Sequence, residues 1–270
     1  MEQTNNIWDL GASQYEKLCK EILFYQKTSD FFFESFAYNN CKYLCDLGSG
    51  SSGLIANKAL KEIETIEMIY CVDSSRKMIE VLVKNNKHDK IIGLHASAES
   101  FASILPVKMD VILINSAFWL FNINKSLTQI FNALSDDGFF IFNFAEWDFE
   151  FENYQMPPKY YSIGHELERR NLDINESRGI KYKYKYEELE KLLKNNKFSI
   201  IKTETVDIEI NKSDWLKLYS IPSLAKRSLP NLPLDLSLNI LENAINNLNT
   251  NQFPPVKWIF FYTKKSKSNN

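Results

Sequence analysis

The sequence predicts an α/β fold, a seven-stranded mostly parallel sheet with helices on both faces and a helical cap built from insertions. Three observations predict it. Short apolar runs alternate with amphipathic segments from Tyr43 to Phe144, a glycine-rich loop follows the first run, and the chain closes the pattern with two further apolar runs after an interruption.

Residues 7–38 read as two helical segments, with Tyr15, Leu18, Cys19, Ile22 and Leu23 on one face at helical spacing. The first strand is expected at Tyr43-Leu44-Cys45-Asp46-Leu47, running into Gly48-Ser49-Gly50-Ser51-Ser52-Gly53, where Ser51 or Ser52 is the expected cap of a helix carrying Leu54, Ile55, Leu60 and Ile63. A second strand, Met68 to Val72, ends at Asp73 and precedes a helix with Met78, Ile79, Val81 and Leu82 inward. The third strand is Ile91 to His95, with His95 expected to pack, followed by a polar turn at Ser97-Ala98-Glu99; the fourth is Val111 to Ile114. After a helix with Leu127, Ile130, Phe131 and Leu134, the turn Asp136-Asp137-Gly138 feeds the fifth strand, Phe139 to Phe144. A helix at residues 187–193 and strands at residues 198–206 and 256–262 complete the sheet as a closing pair.

Two interruptions remain, and both follow strand ends on the side where open α/β sheets bind ligands, so they are assigned to a cap over a substrate. The expected organisation is a helical cap segment at 1–40, a ligand-binding core at 41–145, a cap insertion at 146–185, the rest of the core at 186–263 with a second cap insertion at 211–255, and a disordered tail at 264–270. The proline-punctuated stretch from Trp215 onward reads as a rigid lid or a dimer surface, which leaves a monomer and a homodimer both open.

A chain of 270 residues with 44% hydrophobic content buries a full core. The formal net charge of -2 gives no basic footprint, so no nucleic-acid partner is expected. Lys181-Tyr182-Lys183-Tyr184-Lys185-Tyr186 interleaves bases and rings, but the alternation reads as a short half-buried strand. Four cysteines without a CxxC pair and three histidines make a metal site improbable, and the cysteines read as reduced core thiols. The absence of an apolar run near the roughly 20 residues a bilayer needs, and of a leader-like start, sets the expectation of a cytoplasmic protein without membrane contact.

The chemistry sits around the glycine loop. Gly48 and Gly50 let the backbone turn sharply and approach a ligand, and the helix that follows offers unpaired N–H groups. The string Gly48-x-Gly50-x-x-Gly53 with Asp73 about 20 residues on also fits a dinucleotide site. Asp46, two residues before Gly48, is placed to hold an ammonium group, which a nicotinamide dinucleotide lacks.

Cys45-Asp46-Leu47-Gly48-Ser49-Gly50 resembles the first motif of class I S-adenosylmethionine (SAM)-dependent methyltransferases, and Val72-Asp73-Ser74-Ser75 with Met78, the turn Ser97-Ala98-Glu99, the segment Asn115-Ser116-Ala117-Phe118-Trp119-Leu120 and Asp137-Gly138 resemble the family's later positions. The resemblance covers residues 7–144 and, less fully, the closing strands. It implies a Rossmann-like domain using SAM, with S-adenosylhomocysteine (SAH) as product and no metal. It further implies that Asp46, Gly48, Ser49 and Gly50 meet the amino-acid end, Asp73 and Ser74 the ribose side, and Met78, Ser97, Ala98 and Glu99 the adenine. Asn115, Ser116 and Ala117 would then line the space at the sulfonium methyl. Position 97 is often aspartate in the family, so serine here alters the adenine contact.

Candidate acceptor-binding residues are Tyr15, Phe118, Trp119 and Trp147 as pocket walls and Arg169 and Arg170 as a clamp for a carboxylate. His165 is the candidate general base, against the plainer reading of a surface histidine. The expected reaction is methyl transfer to a small molecule or short peptide, with oxygen slightly preferred and nitrogen the alternative. The competing readings are an NAD(P)-dependent oxidoreductase and a SAM-binding protein without turnover.

Overall fold

The structure is a computed structural model that describes residues 7–151, 158–173, 184–249 and 253–266. Residues 7–9 form a 3-10 turn, and two helices follow, α1 (Ala12–Glu21) and α2 (Leu23–Glu34). The core then runs β1 (Tyr43–Leu47), α3 (Leu54–Glu62), β2 (Met68–Asp73), α4 (Arg76–Asn85), β3 (Ile91–His95), β4 (Met109–Ile114), α5 (Ile123–Ala133) and β5 (Leu134–Ala145). Next come α6 (Pro158–Arg169), α7 (Tyr186–Asn195), β6 (Phe198–Ile208), α8 (Lys212–Tyr219), α9 (Pro222–Ser228), α10 (Leu234–Asn246) and β7 (Val256–Lys265).

The strands join one sheet in the order β3-β2-β1-β4-β5-β7-β6. Pairings from β3 through β5 are parallel, whereas β7 runs antiparallel between β5 and β6. Because successive side chains on a strand point to opposite faces, β1 sends Leu44 to one side and Cys45 to the other, and β4 divides Val111 and Leu113 from Ile112 and Ile114. One face is covered by α2, α3 and the cap helices through Phe24, Phe32, Ile55, Trp215 and Leu241; the other is covered by α5 and α7 through Leu127, Ile130, Leu189 and Leu193. Burial on both sides explains the unbroken apolar strands.

Four local expectations need correction. Asp136-Asp137-Gly138 lies within β5 as an irregular stretch, with Leu134 opposite Met109 and Phe139 opposite Val111. Its exposed carboxylates, Asp137 and Asp136, lie 3.4 and 3.8 Å from Lys264 and Lys265. Those lysines belong to β7, so the strand continues past the expected start of the tail at residue 264. The N-cap of α3 is Gly53 in left-handed conformation (φ 63°) without a side-chain cap, because the Ser51 hydroxyl instead donates to the Ala12 carbonyl at 2.8 Å. His95 is exposed at the end of β3, with Nε2 3.1 Å from the Ser74 carbonyl. Half of the expected strand at residues 181–186 falls outside the described residues; Tyr184 makes a single parallel bridge to Phe149 and Tyr186 opens α7.

Candidate functional site

The parallel topology brings the ends of β1, β2 and β4 together, and the loops leaving them form a cleft. Gly48 and Ser49 N–H groups both donate to the Val72 carbonyl, at 2.7 and 3.1 Å, folding the glycine loop over the end of β2. Gly48 has φ 76°, and a Cβ there would lie 2.7 Å from the Ala117 Cβ. Gly50, at φ 59°, would bring a Cβ within 3.3 Å of the Tyr15 ring. Both positions need left-handed backbone and bare Cα atoms.

Asp73 fixes the loop from below. Its carboxylate accepts the Gly50 N–H at 2.9 Å and the Ser75 N–H at 2.8 Å. Burial raises its pKa, and these two backbone donors act in the opposite direction.

Asp46 is buried at the end of β1, 2% exposed, and among the described residues no hydrogen-bond donor reaches its carboxyl group. Burial, with a smaller contribution from the charge of Asp73, pushes its pKa up to about 8. Asp46, Gly48, Ser49 and Gly50 line a cavity of about 370 Å³, open mouth included, whose other walls include Tyr15, Tyr25 and Asn115. A buried carboxylate without a partner at the base of a glycine cradle favours a cationic ligand group.

The β4 side is shaped by an unusual turn. Ser116 adopts left-handed backbone, φ 59°, although it is not glycine. Buried Asn143 on β5 holds that turn: its amide oxygen accepts the Ser116 N–H at 2.7 Å, and its amide nitrogen donates to the Asn115 side chain at 2.9 Å. Asn115 in turn donates to the hydroxyls of Thr28 and Ser29 on α2, at 3.3 and 3.2 Å. A non-glycine residue at positive φ persists where its surroundings over-determine it, and it stiffens this wall.

The amino-terminal helices lie across the cleft. Asp9 accepts from the Ser75 hydroxyl at 2.6 Å and the Lys77 N–H at 3.2 Å. Trp8 meets Tyr15 edge-on, and the Tyr15 and Tyr25 rings are 5.8 Å apart. Burial raises the pKa of both tyrosines, Tyr25 to about 12, and that of the cavity-lining thiol of Cys19 to about 12.

Among the other sequence-predicted residues, Met78 and Ala98 are buried, Ala117 backs Gly48, and Ser74 is exposed. Ser97 meets Ser100 hydroxyl to hydroxyl at 3.0 Å, and Glu99 accepts the Asn122 N–H at 2.8 Å. Several expected acceptor-site residues sit elsewhere. Phe118 is fully buried among Phe140, Phe142 and Phe144 on the far side of the sheet. Trp147 packs in the opposite core against Phe24, Trp215 and Trp258. The His165 side chain is 81% exposed, 3.5 Å from Glu168. Arg169 is paired to Glu166 at 2.7 Å, while Arg170 lies 3.6 Å from that carboxylate and donates to Asn239. Glu166 on the same helix thus takes the Arg169 guanidinium, while Arg170 is bonded to Asn239 of α10. Of the acceptor set, Tyr15 lines the cavity, whereas Trp119 is half-buried against the α5-side core with Nε1 donating to the Ser116 carbonyl at 3.1 Å.

Sequence reasoning missed Tyr25, Asn143 and Arg227. Asn143 carried a signal, a lone amide inside the apolar run of β5; the other two carried none. Among the described residues no group of three or more His, Cys, Asp or Glu side chains is arranged to hold a metal. No helix among them is long and apolar enough to cross a membrane.

A family model described as a methyltransferase domain matches residues 39–151, the segment that holds the cradle, Asp73, the Asn115 turn and Asn143. No curated protein matches the chain by sequence. Among solved structures, a putative sarcosine dimethylglycine methyltransferase from Galdieria sulphuraria is similar at 17% identity, with 89% of this chain and 86% of that one covered and a TM-score of 0.53. A phosphoethanolamine N-methyltransferase 2 from Haemonchus contortus, in complex with phosphomonomethylethanolamine and SAH, is similar at 15% identity over 96% of this chain and 58% of that one, with a TM-score of 0.56. YjhP from E. coli is similar at 13% identity over 96% and 99%, with a TM-score of 0.58. At these identities the structures speak for the fold, and the methyltransferase-domain model speaks for residues 39–151.

Proposed function

We propose that this chain transfers a methyl group from SAM to a small-molecule or short-peptide acceptor, with oxygen preferred over nitrogen. The observation that carries the reading is Asp46, a buried carboxyl group without a hydrogen-bond donor at the base of a cradle that two bare Cα atoms keep open. SAM fits that cradle, since its α-ammonium supplies the missing donor and charge. Asp46 would hold the ammonium, and the backbone of Gly48 to Gly50 would follow the amino-acid part. Asp73 keeps acceptor capacity beyond its two backbone contacts and faces the sugar hydroxyls, with Met78 and Ala98 beside the base.

When bound, SAM supplies an electrophilic methyl on a sulfonium. The chain's own contribution is alignment in a space from which water is excluded. Asn115, fixed by Asn143 and by α2, sets the wall beside which the acceptor comes in line with the methyl. Tyr15 and Tyr25 line the same cavity.

The preference for oxygen rests on the titration of the cavity walls. Tyr15, Tyr25 and Cys19 hold their protons to high pH, so they are weak bases at neutral pH. An acceptor that arrives already ionised, such as a carboxylate, needs no proton removed. The second reading is a nitrogen acceptor, favoured by the names of two similar structures.

Titration calorimetry with SAM, SAH and NADH in parallel tests the proposal. Saturable uptake of SAM and SAH is expected, none of NADH, and Asp46→Asn weakening SAM by about 1.5–3 kcal/mol as a charged hydrogen bond is lost. A protein that takes up neither SAM nor SAH overturns it.

A further inference from the structure

Arg227 lies in the last turn of α9, within the second insertion. Its guanidinium carbon sits 3.3 Å from the centroid of the Trp119 ring. Nη2 donates to Asp148 Oδ1 at 3.2 Å, and among the described residues this is the guanidinium's one hydrogen bond. An arginine side chain carries five N–H donors in a plane. The side chain is 22% exposed and that of Asp148 12%, so the charge is largely withdrawn from water with most of its donors uncommitted. Stacking on the indole fixes the plane of the group and leaves its edge free to meet a planar partner.

The position adjoins the cavity wall. Trp119 follows the cavity-lining Asn115 by four residues and is tied to Ser116. Tyr25, also in the cavity wall, has both Arg227 and Asp148 as charged neighbours, and Tyr219 on α8 has Arg227. Arg227 thus stands behind the Tyr25 wall of the cavity, whose floor carries Asp46.

We propose that Arg227 docks the acceptor through a carboxylate. A guanidinium edge matches a carboxylate by two parallel N–H···O bonds, and the Trp119, Tyr25 and Tyr219 rings around it suit an apolar or aromatic body attached to that group. The charge balance selects a monoanion. Asp148 already offsets part of the single positive charge, and the adjacent Lys226 is spent on the Pro230 and Leu232 carbonyls at 2.8 and 2.6 Å. The role that Arg169 and Arg170 were expected to play therefore falls to a residue far along the chain. The inference rests on the methyltransferase reading, and it names the chemistry of that reaction's acceptor.

The test uses benzoate and its neutral isostere benzamide, titrated by calorimetry into the full chain, free and saturated with SAH. The expected result is benzoate bound at least tenfold more tightly than benzamide, a preference lost in Arg227→Met and partly recovered in Arg227→Lys. Asp148→Asn discriminates further. A docking guanidinium gains benzoate affinity when its competing carboxylate is removed, whereas a mere strut between α9 and the β5 loop loses order and affinity. Equal binding of the two probes, no binding of benzoate, or weakening by Asp148→Asn overturns the proposal. SAH uptake in the same experiment keeps the two readings apart: failure to bind SAH counts against the methyltransferase reading, and SAH binding without a benzoate preference counts against Arg227 alone.

Discussion

Asn143 and Ser116 are joined by a 2.7 Å hydrogen bond in which the N–H of a residue with left-handed backbone donates to a fully buried amide. Replacing Asn143 with Ala leaves that N–H without its partner and the Asn115 amide oxygen with the Ser116 hydroxyl alone, at 3.2 Å. A loss of about 1–3 kcal/mol in urea unfolding is expected, with SAM affinity falling as the wall loosens. Asn143→Asp keeps the acceptor for Ser116 and should retain more affinity than Asn143→Ala; the reverse ranking would show that the turn is held by something else.

Asp46 gives the fold a pH signature. Its folded-state pKa of about 8 lies above the ordinary 3.8, so the folded chain binds this proton more tightly than the unfolded chain. The group therefore favours the fold fully below pH 3.8, and this contribution is lost as pH rises to about 8. Unfolding free energy across that window should fall more steeply in the wild type than in Asp46→Asn. Addition of SAM near pH 7 should release a proton, seen as a binding enthalpy that varies with the ionisation heat of the buffer. Identical slopes and a buffer-independent enthalpy would contradict the unpartnered carboxyl.

Gly48→Ala combines two costs. Left-handed backbone costs a residue with a Cβ about 1–2 kcal/mol. The added carbon would also meet the Ala117 Cβ at 2.7 Å, where no flexible side chain can yield. A lower melting temperature and reduced SAM uptake should appear together. Gly48→Ala paired with Ala117→Gly should recover part of the loss, and no recovery would rule out the contact as its origin.

Lys159 is 1% exposed, with its ammonium 3.1 Å from the Trp215 centroid, 4.9 Å from that of Trp147 and 5.0 Å from that of Tyr160. Burial drives its pKa well down, and the charge of buried Glu146 opposes that shift. Lys159→Met removes the balancing cation, so the variant should lose stability that Glu146→Gln in the same chain partly restores. A double-mutant cycle by thermal unfolding should give a coupling of roughly 0.5–3 kcal/mol; additive losses would mean that the two groups act independently.

The sheet was legible because its inner strands are buried on both faces and so read as apolar runs, from Tyr43-Leu44-Cys45 to Phe260-Phe261-Tyr262. The glycine loop was legible because positive φ demands particular residues at fixed spacing. The acidic stretch of β5 was not, since Asp136-Asp137-Gly138 has the composition of a turn, and the β7 lysines its carboxylates face lie about 130 residues away in sequence. Phe118 and Trp147 showed the same limit, because a large ring looks alike in a core and in a pocket. Arg227 lay beyond reach for a different reason: its meaning depends on Trp119 and Asp148, which only the folded chain brings to it.

The placement of β7 between β5 and β6 has a bearing on synthesis. The strand that arrives last from the ribosome belongs in the interior of the sheet, where it meets Phe139 to Ala145 on one side and Phe198 to Ile208 on the other. Until residues 256–265 leave the exit tunnel, β5 carries an open aromatic edge and β6 has nowhere to dock. A nascent chain stalled before Val256 therefore holds the parallel half of the sheet with a raw, sticky border, the species most in need of a chaperone.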